Sequence, residues 1–191
     1  MVSRWRNALP RAECSGMSER RYYLWSIGCQ LSQTDARRIA EALDARGLAP
    51  SRTPEQADLM ILNTCVVRQS AEDKVVGRLA SLQPLARDQE RTRSLVVMGC
   101  FVDDLVDLRL RYPYVDAFFA PSDLSGVLSF VDRWIGPGAP ASPTVDSPVH
   151  VTEMVPVSYG CDHHCTYCIV TDRRGPQNSR PLIDIVTEAS D

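Results

Sequence analysis

Residues 58–65 read DLMILNTC, and the six from Asp58 to Asn63 (DLMILN) decide the fold. Four successive apolar side chains leave this strand no polar face, so both of its sides must be covered, as happens in a parallel sheet sandwiched by helices. Upstream, Tyr22–Ile27 (YYLWSI) is a β-rich run stopped by Gly28, and downstream Ser94–Met98 (SLVVM) is a third apolar run that ends at Gly99 and Cys100. Helical periods separate these strands. Thr34 is read as the cap of a helix in which Ile39, Ala40 and Leu43 recur at helical spacing, Asp35 sits in the first turn and Gly47 is the stop. Residues Ser70–Leu85 place Val75, Leu79 and Leu82 on one face. Leu48–Ser51 is expected as a short strand and Pro54–Ala57 as a single turn. The period then repeats, with helices over Val102–Arg111 and Ser122–Trp134 flanking a strand at Val115–Phe119. Alternation of this kind predicts an α/β fold, here a five-stranded parallel flavodoxin-like sheet over residues 21–135.

Outside that unit the pattern changes. Residues 1–20 hold scattered Arg, Pro and Gly without periodicity or an apolar core, so they are read as a disordered extension rather than a secretory signal, with Met17 as the expected start. Residues 136–149, dominated by Pro and Gly, are read as a linker. A second unit begins near His150 and runs to Asp191, too short for a complete domain, so the chain is expected to be truncated there.

Charge and composition narrow the classes. Of 191 residues, 44% are hydrophobic and 24% charged, which excludes a disordered or collagenous chain. No apolar run approaches the roughly 18 residues of a membrane span. A net charge of −3 lends no electrostatic support to nucleic-acid binding. Seven cysteines, an odd number without a signal segment, point away from a secreted disulfide framework and toward a cytosolic protein that uses thiolates as ligands or nucleophiles. Cys14, in the extension, is assigned no role.

Cys29, Cys65 and Cys100 are 36 and 35 residues apart, close to the length of one strand–helix–strand unit of about 30 residues. Each follows a strand, and parallel strands end on one edge about 4.8 Å apart, so the three thiols are expected to meet at the crevice where such sheets bind ligands. Three buried cysteines packing as small hydrophobes is the alternative. Three thiolates rather than four leave a metal with an open position, which suits chemistry better than a closed structural zinc site. The second unit carries Cys161-Asp-His-His-Cys165-Thr-Tyr-Cys168. Three thiolates in eight residues can wrap one face of an iron–sulfur cube and leave its fourth iron free. A zinc site completed by His163 or His164 is the competing reading.

The C-x3-C-x2-C spacing with Tyr167 before the last cysteine resembles the radical S-adenosylmethionine family. The wider run YGCDHHCTYCIV with RRG and SRP is similar to its methylthiotransferase branch. GCQLSQTDA around Cys29, LNTCVVRQSAEDKVVGRL around Cys65 and VMGC around Cys100 resemble the N-terminal domain of those enzymes, more the tRNA-acting than the ribosomal-protein-acting members. The sequence departs from the family pattern at Ser32 or Gln33, where an Asn is usual, and at Val170–Gly175 (VTDRRG).

The resemblance implies two [4Fe–4S] clusters, one on Cys29, Cys65 and Cys100 and one on Cys161, Cys165 and Cys168. The second would bind S-adenosyl-L-methionine, with Tyr167 against the adenine. It also implies that residues 150–191 are the incomplete first βα unit of a radical partial barrel. The expected activity is transfer of a methylthio group to C2 of an N6-isopentenyl-type adenosine beside the anticodon. Threonylcarbamoyl adenosine or a ribosomal protein are alternative substrates, and a non-catalytic iron–sulfur carrier or a zinc-binding module are alternative functions. Expected partners are tRNA and an electron donor such as flavodoxin or ferredoxin, with the chain a monomer away from membranes. Asn63, Arg68 and Arg174 are candidate substrate or supporting contacts. Residues 150–191 are expected to rest only weakly on the first domain.

Overall fold

The computed structural model describes residues 20–88, 93–136 and 154–190. The extension before residue 20, with Met17 and Cys14, lies outside them, as does nearly all of the expected linker.

Five parallel strands form one sheet: β1 (Arg21–Ser26), β2 (Ala49–Pro50), β3 (Leu59–Thr64), β4 (Ser94–Gly99) and β5 (Ala117–Phe119), in the order β2-β1-β3-β4-β5. Every pairing is parallel. The central strands β3 and β4 are buried at every position, which is why they lack the alternation of a half-exposed strand. Side chains still alternate between the two faces. Leu59, Ile61, Val96 and Met98 pack against Ile39 and Leu43 of α1 (Gln30–Asp44) and Val127 and Val131 of α4 (Leu124–Ile135). Met60, Leu62, Leu95 and Val97 pack on the other face against Val75, Leu79 and Leu82 of α2 (Gln69–Ala86) and Leu108 of α3 (Leu105–Arg111). The expected flavodoxin-like order is therefore present, and a short 3-10 turn at Pro54–Gln56 stands where a single turn was read.

Two helix starts differ from expectation. α1 begins at Gln30 with Cys29 as its N-cap, four residues before Thr34, and Thr34 instead donates its hydroxyl back to the carbonyl of Gln30 at 3.2 Å. Residues 30–33 have no apolar period, so their helicity is set by packing on the sheet rather than by a sequence stop signal. α3 begins at Leu105 rather than Val102 because the carboxylate of Asp104 accepts from the backbone N–H groups of Val106 and Asp107 and caps it. Val102 instead packs into the core.

Beyond the undescribed stretch, β6 (Ser158–Tyr159) pairs antiparallel with β7 (Asn178–Ser179), and α5 (Val170–Arg174) and α6 (Leu182–Ser190) complete the chain. The strand expected over Val155–Ser158 is thus confined to its end. Among the described residues no helix is long and apolar enough to cross a membrane.

Candidate functional site

The direction of the chain out of β1 and out of β3 diverges, because β1 leads toward the β2 side and β3 toward the β4 side. The crevice this opens lies at the carboxyl ends of the strands, the position where doubly wound sheets bind ligands. Cys29 follows β1 there, Cys65 follows β3, and Cys100 follows β4. Cys65 and Cys100 are each 3% exposed, whereas Cys29 is open to solvent. All three are free thiols.

Local hydrogen bonding fixes each one. The backbone N–H of Cys100 donates to the carbonyl of Thr64 at 3.1 Å, and the Thr64 hydroxyl donates to the carbonyl of Met98 at 2.6 Å, so the ends of β3 and β4 are tied together at the two cysteines. Asn63, 1% exposed, donates through Nδ2 to the carbonyl of Ser32 at 2.5 Å and to the hydroxyl of Ser26 at 3.4 Å. Its amide pins the first turn of α1, and with it Cys29, to β3. Asn63 is therefore a buried structural pin, which agrees with the supporting role among those the sequence suggested.

Two glycines let the backbones close in. Gly28 has φ +143°, and a Cβ there would lie 2.5 Å from Cβ and 3.2 Å from Sγ of Cys65. Gly99 has φ +106°, and a Cβ there would lie 2.3 Å from the carbonyl oxygen of Thr64. Both positions favour glycine by conformation and by space.

The electrostatics differ across the three thiols. Burial raises the pKa of Cys29, but the N–H and hydroxyl of Ser32, the charge of Arg174 and the N–H of Leu31 outweigh it and hold the thiol below its ordinary value. An N-terminal helical turn stabilises a thiolate in this way. Burial pushes the Cys100 thiol up; Arg174 opposes this, while the charges of Cys65 and Cys29 add to it. Cys29 and Cys65 line one cavity, and Cys100 ends the strand next to the one that leads into Cys65. Among the described residues no group of three His, Cys, Asp or Glu side chains is arranged to hold a single metal ion. A cube of four irons takes one thiolate per iron and needs a wider footprint than a single ion. Three thiols after the ends of adjacent strands, beside a crevice relieved by Gly28 and Gly99, are the kind of donor set such a cube takes.

A cavity of about 350 Å³ opens beside Cys29 and Cys65, and Arg68, Ser70 and Lys74 of the α2 end line it. Arg68 is exposed on that rim. Arg174 comes from the other side, 7% exposed along its side chain, donating to the Ser122 hydroxyl at 2.8 Å and lying 3.8 Å from the carboxylate of Asp35.

The second cysteine set occupies the loop between β6 and α5. The N–H of Cys161 donates to the carbonyl of Gly175 at 3.1 Å, and the Thr171 hydroxyl lies within bonding distance of the carbonyls of Cys161 (3.2 Å) and His163 (3.0 Å). The N–H of His163 donates to the sulfur of Cys161 at 3.4 Å, and that of Cys168 to the carbonyl of Cys165 at 3.0 Å. Hydrogen bonds to sulfur are among the groups that tune thiolate-bound clusters. Cys165 is exposed, Cys161 and Cys168 are half-buried, and His163 and His164 face solvent. Tyr167 is 90% exposed, so its ring is free for a ligand rather than part of a core.

Polar contacts join this unit to the first. Arg173 pairs with Asp103 at 2.5 Å, Arg174 enters as described, and Arg38 of α1 donates to the hydroxyl of Tyr159 at 2.8 Å. Sequence reasoning missed Asp35, Ser122 and Arg38. For Asp35 a signal existed, since it precedes Ile39 and Leu43 at intervals of four and therefore lies on the buried stripe of α1.

Comparison with known proteins adds to this geometry. The uncharacterized protein family UPF0004 matches residues 21–120, just over half of the chain. A tRNA-2-methylthio-N(6)-dimethylallyladenosine synthase of Roseiflexus sp. is 39% identical over 189 residues, covering 96% of this chain and 38% of that protein. Enzymes of the same name from Herpetosiphon aurantiacus and Myxococcus xanthus are 36% and 32% identical, each covering 90% of this chain and 40% of its relative. The chain thus spans about two fifths of the length of these relatives.

Proposed function

The chain belongs to the uncharacterized protein family UPF0004, and on that footing we propose that it is the cluster-bearing part of a tRNA methylthiotransferase. Its reaction would place a methylthio group on C2 of an N6-isopentenyl-type adenosine beside the anticodon. The observation that supports this reading is the placement of Cys29, Cys65 and Cys100 after the carboxyl ends of the adjacent strands β1, β3 and β4, with a second three-cysteine loop pinned to the same domain.

Cys29, Cys65 and Cys100 would hold one [4Fe–4S] cluster, and Cys161, Cys165 and Cys168 the other. When bound, the second supplies the electron that cleaves S-adenosyl-L-methionine and the first is the site of sulfur delivery. The protein's own contribution is arrangement. Asn63 and Thr64 lock the cysteine-bearing strand ends, Gly28 and Gly99 leave room for a bulky group, and the first turn of α1 favours the thiolate of Cys29. The exposed ring of Tyr167 offers a face to an adenine. Transfer RNA, and an electron donor such as flavodoxin or ferredoxin, are the partners this reading requires, and the chain is taken to act as a monomer.

Anaerobic reconstitution with iron and sulfide tests it. About eight irons per chain are expected, two cubes of four, and replacing Cys29, Cys65 and Cys100 together by Ala should remove half. Loss of all iron, or of none, would refute the two-site assignment.

A further inference from the structure

Arg174 belongs by sequence to the second cysteine motif, six residues after Cys168, yet its guanidinium is buried in the first domain. It reaches there through α5, in which the neighbouring Arg173 pairs with Asp103 in the loop after Cys100. Inside, the polar groups form a relay. Arg174 Nη1 donates to the Ser122 hydroxyl at 2.8 Å, and that hydroxyl donates to Asp35 Oδ2 at 2.9 Å. Each partner is fixed by an element of the first site. Asp35, 6% exposed, lies on the helix that Cys29 caps. Ser122 lies in the loop after β5, the strand paired with β4, which leads into Cys100.

Ser122 holds a left-handed backbone, φ +62°, the only described non-glycine residue to do so. A left-handed conformation is strained for a residue with a side chain. Glycine would relieve that strain, but only a hydroxyl accepts from the guanidinium and donates to the carboxylate at once. The relay is therefore a built arrangement around one buried cation, anchored on the helix that Cys29 caps and flanked by the Arg173–Asp103 pair in the loop after Cys100.

We infer that Arg174 is a positioning residue through which the second cysteine loop sets the electrostatic environment of the first cysteine site, with Asp35 and Ser122 holding its charge in place. This inference rests on the cluster assignment proposed above. Docking of the second unit brings a positive charge to the first site, and its loss withdraws that charge. A cation beside a cluster favours the reduced state, which carries one more negative charge.

The test uses the full chain with Cys161, Cys165 and Cys168 replaced by Ala, so that only the first site titrates. Absence of iron in that protein would refute the cluster assignment itself, separately from the role of Arg174. With the cluster present, R174Q should disfavour reduction by about tenfold, a fall in midpoint potential of about 59 mV for one electron. R174K, which keeps the charge, should recover most of it. D35N, which removes a neighbouring negative charge, should shift the potential upward. A merely structural role would move R174Q and D35N in the same direction or leave both unchanged, and either result overturns the inference. In the iron-free chain, R174Q should also speed amide hydrogen exchange in α5 relative to wild type; equal exchange there would remove the docking half of the argument.

Discussion

Gly99 and Gly77 make opposite demands on one methyl group. At Gly99 the backbone is left-handed and a Cβ would meet the carbonyl oxygen of Thr64 at 2.3 Å, an atom of the β3 backbone that cannot swing aside. Gly99→Ala should therefore destabilise the iron-free protein by about 1–3 kcal/mol, read as a lower urea midpoint. At Gly77, inside α2, a Cβ meets nothing within 4 Å, and Gly77→Ala should stabilise by about 0.4–1 kcal/mol by restricting the unfolded chain. If Gly99→Ala were neutral, the close approach of β3 and β4 at the cysteines would be wrong. The cysteines were legible in the sequence because each is tied to the end of an apolar strand, and a strand end has a fixed place on a parallel sheet. Arg174, Ser122 and Asp35 were not legible as a group, because they meet only after the chain has folded and no local period links them. Asn63 was left with two roles open for a related reason: a polar residue at the end of a strand looks available until the first turn of α1 is known to lie over it.

At the level of elements, α5 is held to the loop after β4 by Arg173 and Asp103. Partial burial raises the pKa of Asp103, but the hydrogen bond from Arg173 and the N–H of Asp104 outweigh it, so the carboxyl titrates below its ordinary range. A carboxyl lowered in the folded state contributes stability above its unfolded pKa, and that contribution is lost as pH falls through the folded value. The Tm advantage of wild type over D103N should accordingly be present near neutrality and shrink below about pH 3.9, the ordinary value for Asp. Both side chains are partly exposed, so the advantage should be small and should weaken with salt. An advantage that persisted unchanged to the acid limit would show that the ion pair is not its source. Helix starts illustrate how far elements can be read from sequence. The apolar stripe of α1 is plain from Ile39 onward, but its first turn has no such stripe and follows a cysteine cap, a residue that carries no capping signal, so the sequence reading placed the start five residues late. Asp104 is an ordinary cap by chemistry, but Val102 stands three residues before Leu105, at helical spacing, and so reads as part of the helix.

Across the whole molecule, burial falls off in steps. The strands β3 and β4 are buried throughout, α5 is held by two arginines, and α6 has no buried residue, with Leu182 76%, Ile183 69% and Val186 50% exposed. Sequence reading expected everything after residue 150 to be loosely held, on the ground that one strand and one helix bury too little apolar surface to offset their ordering entropy. That reasoning counted apolar area and had no means to count the polar pins of Arg38, Arg173 and Arg174, which join residues far apart in the chain. It still applies to α6, whose described contacts to the rest of its unit run through Arg180, to Glu188 and to the carbonyl of Pro156. Native-state hydrogen exchange should therefore grade into three classes. Amides of β3 and β4 should exchange only by global unfolding, those of α5 by an intermediate opening, and those of α6 close to the rate of an unfolded chain. The measurement also tests the monomer proposal. Protection of α6 equal to that of β4, increasing with protein concentration, would mean that a second copy covers Leu182, Ile183 and Val186; rapid exchange of α6 at every concentration is the result that a lone chain with an uncovered apolar face must give.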